Sequence, residues 1–378
     1  MVGNILSSPT PFTPPTTEED RLSWLRLIRS RRVGPATFQR LLAEHGNAAA
    51  ALDALPAIAR AAGVEDYAPC PLDLAQRERD AGQRKGARLL FLGAPDYPAA
   101  LAALPDPPPL LWARGRASVL AQPGIGLVGA RNASSLGARM ARKLAEGLGH
   151  HGFTIVSGLA RGIDAAAHGA ALKTGTIAVM AGGVDVLYPP ENEMLGATIA
   201  DQGLLLSEQP MGLQPQARHF PRRNRLIAGL SRAVVVVEAA EGSGSLITAR
   251  DALDQGREVM AVPGHPMDAR AAGANLLIRE GARLVRSVED VIEALEHSLT
   301  DPEPAPAPQA PKRAGPGAAP DTLTLHRMIL DRLSASPLPE DQLLRDLDLP
   351  AHALAPALLF LELDGRVQRQ PGGMLARN

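Results

Sequence analysis

The sequence predicts an α/β protein built on a doubly wound parallel sheet, with a small helical module on either side. Three observations carry this. Short apolar runs recur through the middle of the 378-residue chain, at 126–128, 153–156, 176–181, 204–206, 233–237 and 259–262. Runs of this length without polar alternation suit strands buried on both faces. Helical patterns at 134–149, 163–173, 222–230 and 246–255 lie between them. Strand and helix in alternation imply parallel strands joined by crossover helices. Finally, each strand-to-helix junction is rich in glycine and small residues, and ligands of such sheets bind beyond the C-terminal strand ends.

Composition narrows the class. The chain is 45% hydrophobic but only 3% aromatic, so the predicted core is mainly Ala, Leu and Val. The formal net charge is -1, so a nucleic-acid contact has to come from a local basic patch rather than from bulk charge. A single cysteine, Cys70, rules out an intrachain disulfide and a zinc cluster of several thiols. No apolar run of about 18 residues suggests a membrane span. The first residues lack the pattern of a signal peptide. A cytoplasmic protein without membrane insertion is expected.

The predicted organisation has five parts. Residues 1–20, rich in Pro and Thr, form a disordered lead-in. Residues 21–87 form a helical domain in which two short helices flank Val33, Gly34, Pro35 and Ala36, similar to a helix-hairpin-helix or SAM-like module. Ala36 stands where such hairpins carry a second glycine. The sheet occupies 88–299. Residues 300–321, dominated by Pro and Ala, read as an extended linker. Residues 322–378 carry three helical patterns and a Gly-tipped hairpin, the layout of a winged helix.

Several chemistries are absent. There is no GxxxxGK[ST], no GxGxxG following the first strand, no HExxH and no GxSxG. The strand at 153–156 leads into Ser157 and Gly158 instead of the acidic residue that would hold a ribose. No metal set and no catalytic residues are predicted. What remains is a series of loops suited to phosphate. Gly129–Ser134 leaves a strand and enters a helix whose free N–H groups face an anion, with Arg131 able to fork onto a phosphate. The stretch 157–164 repeats this logic with Arg161 and Gly162. Asp164 and His168 have no nucleophile beside them and read as structural. Gly182 and Gly183 leave room for a ligand or another backbone, and Tyr188 could stack on a base or fill the core. The densest signal is 218–225, where Arg218, Arg222, Arg223 and Arg225 surround Phe220 and Asn224. Guanidinium groups along a backbone and a flat ring under a base are what single-strand binding uses. Cations in a first helical turn oppose the helix dipole, which points to an anion there. The stretch 241–249 is a further small-residue helix entry.

Taken together, VGARNAS, SGLARGIDAAAHGAAL, GGVDVLYPPEN, LLSEQPMG, FPRRNRLIAGLS, VVVVEAAEGSGSLITARDAL, AVPG and GANLLIREGA, in this order over 126–282, resemble the DprA/Smf family. The resemblance implies a Rossmann-like domain that binds single-stranded DNA, dimerises, and loads RecA onto strands covered by single-strand binding protein during natural transformation. It places the strand pocket on Arg131, Ser157, Gly158, Arg161, Gly162, Phe220, Arg222, Arg223, Asn224 and Arg225, with no cofactor. The expected recognition helix of the winged domain, 351–364, has no Lys or Arg, so that domain reads as a protein-interaction or autoregulatory module.

Two alternatives stand beside this. The glycine-rich loops are similar to those of the phosphoribohydrolase (lysine-decarboxylase-like) enzymes, which would make the protein a nucleoside-phosphate binder or hydrolase. Thr248 falls where those enzymes carry their glutamate, leaving Glu238 and Glu241 as substitutes. The second is a protein scaffold in which the arginines serve salt bridges, with Glu208 the nearest acid in sequence.

Overall fold

The structure is a computed structural model that describes residues 13–61, 64–300, 322–334, 337–347, 351–370 and 374–377. The first part of the predicted lead-in, residues 301–321 of the predicted linker and the hairpin tip at 371–373 lie outside the described residues. The chain divides into two compact units, Thr17–Ala75 with Glu303–Asn378, and Gln76–Pro302.

The N-terminal helices are α1 (Glu18–Arg29), α2 (Pro35–His45), α3 (Ala48–Ala61) and α4 (Leu72–Arg84). Thr17 caps α1 by accepting from the Asp20 N–H, with acids in the first turn and Arg26 and Arg29 in the last, the charge order that suits the helix dipole. Trp24 meets Phe38 edge-on at 5.0 Å. The sequence pattern predicts two helices here. The third, α3, is Ala-rich and packs on α1, burying Ala51, Leu52 and Leu55.

The sheet unit continues with β1 (Ala87–Phe91), α5 (Ala99–Ala102), β2 (Leu110–Gly115), β3 (Gly124–Val128), α6 (Ser135–His150), β4 (Thr154–Ser157) and α7 (Ile163–Ala171). Then come β5 (Thr176–Val179), α8 (Glu193–Gln202), β6 (Leu204–Ser207), α9 (His219–Leu230), β7 (Ser231–Val236) and α10 (Gly244–Asp254). It closes with β8 (Glu258–Ala261), α11 (Ala272–Arg279), β9 (Arg283–Leu284) and α12 (Val288–Thr300). The strand order is β1-β2-β6-β5-β4-β3-β7-β8-β9. Every pairing from β6 to β9 is parallel, as the apolar runs require. The edge strands β1 and β2 are antiparallel, so the sheet is mixed. These two strands flank a Pro-rich stretch at 105–109 that hides them from a periodicity reading.

The core follows from the patterns. Ile125, Leu127, Ile155, Val235 and Met260 of the strands pack with Leu144 and Leu148 of α6, Ile163 and Ala167 of α7, and Val288 and Val291 of α12. From β3 the chain runs outward to β4, β5 and β6 on one side and returns to β7 and β8 on the other. The reversal opens a crevice beyond the C-terminal ends of β3 and β7, where this architecture binds ligands.

The C-terminal module has α13 (Thr322–Arg332), β10 (Leu338–Pro339), α14 (Glu340–Leu347), α15 (Ala351–Leu363), β11 (Val367–Gln370) and β12 (Met374–Arg377). Its strands order as β10-β12-β11 over a core of Ile329, Leu343, Leu354, Leu358, Val367 and Leu375. This is the expected winged helix. Among the described residues, no helix is long and apolar enough to cross a membrane.

Candidate functional site

The loops after β3, β4 and β5 converge with the start of α9. Gly162 joins the first two. Its φ is +78°, and a Cβ there would collide with the Ala130 carbonyl and lie 2.7 Å from that of Arg131. The Ile163 N–H donates to the Ala130 carbonyl at 3.2 Å. Only glycine combines this conformation with so close an approach. Gly182 and Gly183 serve another backbone, since a Cβ at either would run into the carbonyls of Leu213 or Pro210.

Beneath the loops lies a buried polar framework. Leu159 has φ +56°, unusual for a branched residue. Its N–H donates to His168 Nε2 at 3.3 Å and its carbonyl accepts from Asn192 Nδ2 at 2.9 Å. With Nε2 accepting, the hydrogen-bond pattern assigns the ring proton to Nδ1, which faces Thr176 Oγ1 at 2.7 Å. Thr176 in turn donates to the Ile155 carbonyl. The Asp164 carboxylate accepts from the N–H groups of Gly158 at 3.0 Å and Ala160 at 3.3 Å. Ser157 Oγ donates to the Leu127 carbonyl at 2.6 Å. Arg223 Nη1 donates to the carbonyls of Gly158 and Val179, both at 2.6 Å.

The charges answer to this burial. Burial pushes the Arg223 guanidinium down to about 10, against the pull of Asp164. Burial pushes the Asp164 carboxyl up, and Arg223 opposes it. Burial, helped by Arg223, drives His168 down to about 3. Between pH 6.5 and 3 the unfolded chain therefore holds a proton on His168 that the folded chain refuses, and stability falls as pH drops through that window. Asp164 titrates with the opposite sign, so the histidine is isolated by comparison with His168→Gln. The stability advantage of the wild type over that variant should shrink by about 2 kcal/mol between about pH 7 and pH 5. Urea melts at both pH values measure it, and an unchanged gap would show that His168 is not held neutral.

Above the framework is an aromatic and cationic surface. The rings of Tyr188 and Phe220 lie 6.1 Å apart, centroid to centroid, at 55°. The Arg131 guanidinium stands 5.2 Å from the Phe220 centroid and that of Arg223 5.9 Å. Tyr188 is 45% exposed, Phe220 half-buried, and Arg131, Arg218 and Arg222 exposed. Arg161 is exposed and pairs with Glu191 at 3.1 Å. No acidic side chain stands in the first turn of α9.

The residues singled out from sequence thus fall into two sets. Arg131, Arg161, Phe220 and Arg222 reach the surface around the converging loops, and Tyr188 joins them. Ser157, Gly158, Gly162, Arg223 and Asn224 belong to the framework. Asn224 Nδ2 donates to the Gly244 carbonyl at 3.2 Å, and its Oδ1 accepts from Arg223. Gly158 is held against Arg223, whose Nη1 would collide with any Cβ there. Arg225 is 14% exposed and pairs with Glu208 and, at 3.5 Å, with Asp106. The reading of all these arginines as strand contacts is therefore narrowed. The physical reason is helical rotation, since 218 and 222 share one face of α9 while 219, 223, 226 and 227 face inward.

Asp164 and His168 are consumed by buried hydrogen bonds. Thr248 is buried in α10, and the Glu238 carboxylate accepts from Ser134, from its N–H at 2.9 Å and from its hydroxyl. Among the described residues no cluster of His, Cys, Asp and Glu could hold a metal.

The class the structure defines is a Rossmann-like sheet that presents arginines and aromatic rings at its strand ends. Comparison with known proteins gives the family. The model of DNA recombination-mediator protein A matches residues 88–296, that of a DprA-like N-terminal HHH domain 18–81, and that of a DprA winged helix domain 301–373. Protein Smf of Synechocystis is 45% identical over 219 residues, 56% of this chain and 55% of that protein, so the match spans about half of that relative. The X-ray structure of DNA processing protein A from Streptococcus pneumoniae covers 62% of this chain and 86% of its own, at 39% identity and a TM-score of 0.54. DNA processing protein A from Helicobacter pylori, described for its single-stranded DNA binding mode, covers 56% and 96% at 29% identity and a TM-score of 0.51. The chain belongs to the DprA/Smf family of DNA recombination mediators.

Proposed function

We propose that this chain binds single-stranded DNA across the loops after β3, β4 and β5 and the start of α9, and acts there as a mediator rather than as an enzyme. The observation that carries the reading is the meeting of Arg131 and Tyr188, from two separate loops, with Phe220 at the start of α9. Rings stack on bases whatever their sequence, and guanidinium groups follow the phosphates. Around this site the family reading adds protection of incoming strands, loading of RecA onto strands covered by single-strand binding protein during natural transformation, a homodimer formed through the sheet domain, and a cytoplasmic setting.

The winged helix is proposed as a protein-interaction or autoregulatory module. Its α15 has no Lys or Arg, and the wing residue Arg369 is engaged by Glu340 at 2.5 Å and Glu362 at 2.9 Å. A guanidinium held between two carboxylates is a poor phosphate contact. Competition tests both readings. A labelled oligothymidine bound to the full chain should be displaced far better by unlabelled single strand than by duplex of equal length. Equal displacement by duplex would contradict the stacking site and the winged-helix assignment together.

A further inference from the structure

We propose that Glu238 is a built-in anion that closes the strand-reversal crevice to the phosphates of free nucleotides, and so sets the ligand class of the sheet. The inference rests on the single-strand reading only in saying what the sheet binds instead.

In sheets of this order the N-terminus of the helix after the central strand receives a ligand's phosphate, because its free N–H groups and dipole attract one anion. Here that helix is α6, capped by Ser134, whose Oγ accepts from the Gly137 N–H at 2.9 Å. The place of the anion is taken by a side chain of the same protein. Glu238, just beyond β7 on the other wall of the crevice, accepts from the Ser134 N–H and hydroxyl. Gly137 makes room for it, since a Cβ at that position would lie 2.5 and 2.6 Å from the two carboxylate oxygens. Local sequence does not explain this contact, for it joins residues 104 apart.

The consequence is electrostatic. A phosphate entering the crevice would meet a half-buried carboxylate at contact distance and find the Ser134 N–H already engaged. Exposed arginines lie beside this plug: Arg131, on the loop that enters α6, stands over the Phe220 ring, and Arg222 lies in the first turn of α9, which holds no acid. The same closure bears on the phosphoribohydrolase alternative, because Glu238, one of the two acids that could replace the missing glutamate, is already hydrogen-bonded to Ser134.

The test is isothermal titration calorimetry of the full chain with inorganic pyrophosphate and with ADP, for wild type, Glu238→Gln and Glu238→Ala. Glu238→Gln keeps the shape and one acceptor oxygen and removes the charge, so it decides the matter if the alanine variant fails to fold. Wild type should show no saturable binding of either probe, and Glu238→Gln should bind pyrophosphate at least roughly tenfold more tightly. Wild-type binding as tight as that of the variants, or no gain in a folded Glu238→Gln, would overturn the proposal. Oligothymidine titration of the wild type runs alongside. Its failure would remove the strand-site reading while leaving the role of Glu238 to the pyrophosphate result.

Discussion

Arg223→Ala is expected to destabilise the sheet domain by about 3–5 kcal/mol, because it removes a buried guanidinium that bonds two buried carbonyls and leaves a buried carboxyl group without the cation whose field opposes its burial. Two contributions add up. The carbonyls of Gly158 and Val179 lose their donor, at about 1–3 kcal/mol each when no water can replace it. Asp164 loses its compensating cation inside the domain, where burial already raises its pKa. For a domain of this size the loss corresponds to a drop of about 10 °C in Tm, read by calorimetry. Arg223→Ala with Asp164→Asn should recover part of it, because no buried carboxylate charge then remains without a nearby cation. A loss below about 1 kcal/mol in the single variant would mean that the guanidinium is not a strut. The same variant should weaken DNA binding through stability, so its DNA phenotype has to be read at a temperature where it is folded.

Phe220→Ala acts on the surface instead. Stacking of one base contributes about 1–3 kcal/mol, so affinity for oligothymidine should fall roughly five- to hundredfold. Phe220 is half-buried, so some loss of stability accompanies the change, and Phe220→Leu, which keeps the bulk but not the flat ring, separates the two effects. Tyr188→Ala, at a more exposed ring, should lose affinity with little effect on Tm. Because the rings stand 6.1 Å apart, the two losses should not be additive. Affinity unchanged in both Phe220→Leu and Tyr188→Ala would remove the stacking platform from the site.

The strands and most helices of the sheet were legible in the sequence because burial on both faces leaves a plain signature, as in the valine run of β7. The strands β1 and β2 were not, since prolines break the stretch between them. The loops were legible through their glycines, but the purpose of each glycine was not. Gly162 seats one loop against another, Gly158 admits Arg223, and Gly137 admits Glu238. The arginine cluster was visible as a density along the chain, whereas a ligand meets a density on a face. Rotation around α9 turns Arg223 inward and leaves Arg218 and Arg222 outside, while Arg225, on the same side as these two, is taken up by Glu208 and Asp106. The sequence leaves Tyr188 open between core and stacking; the fold sets it beside Phe220. The salt-bridge alternative captured Arg225, which does pair with Glu208.

The most direct measurement is fluorescence anisotropy of a labelled oligothymidine across a salt series, for wild type and for Arg131→Ala/Arg222→Ala. Both substitutions remove exposed guanidinium groups and leave the buried framework intact. Wild type should bind with an affinity that falls steeply with salt. The double variant should show a log K against log salt slope shallower by about 1.4, because each single-strand phosphate that a cation no longer neutralises accounts for about 0.7. No binding by the wild type at low salt, or identical slopes for the two proteins, would contradict the assignment of this surface to single-stranded DNA.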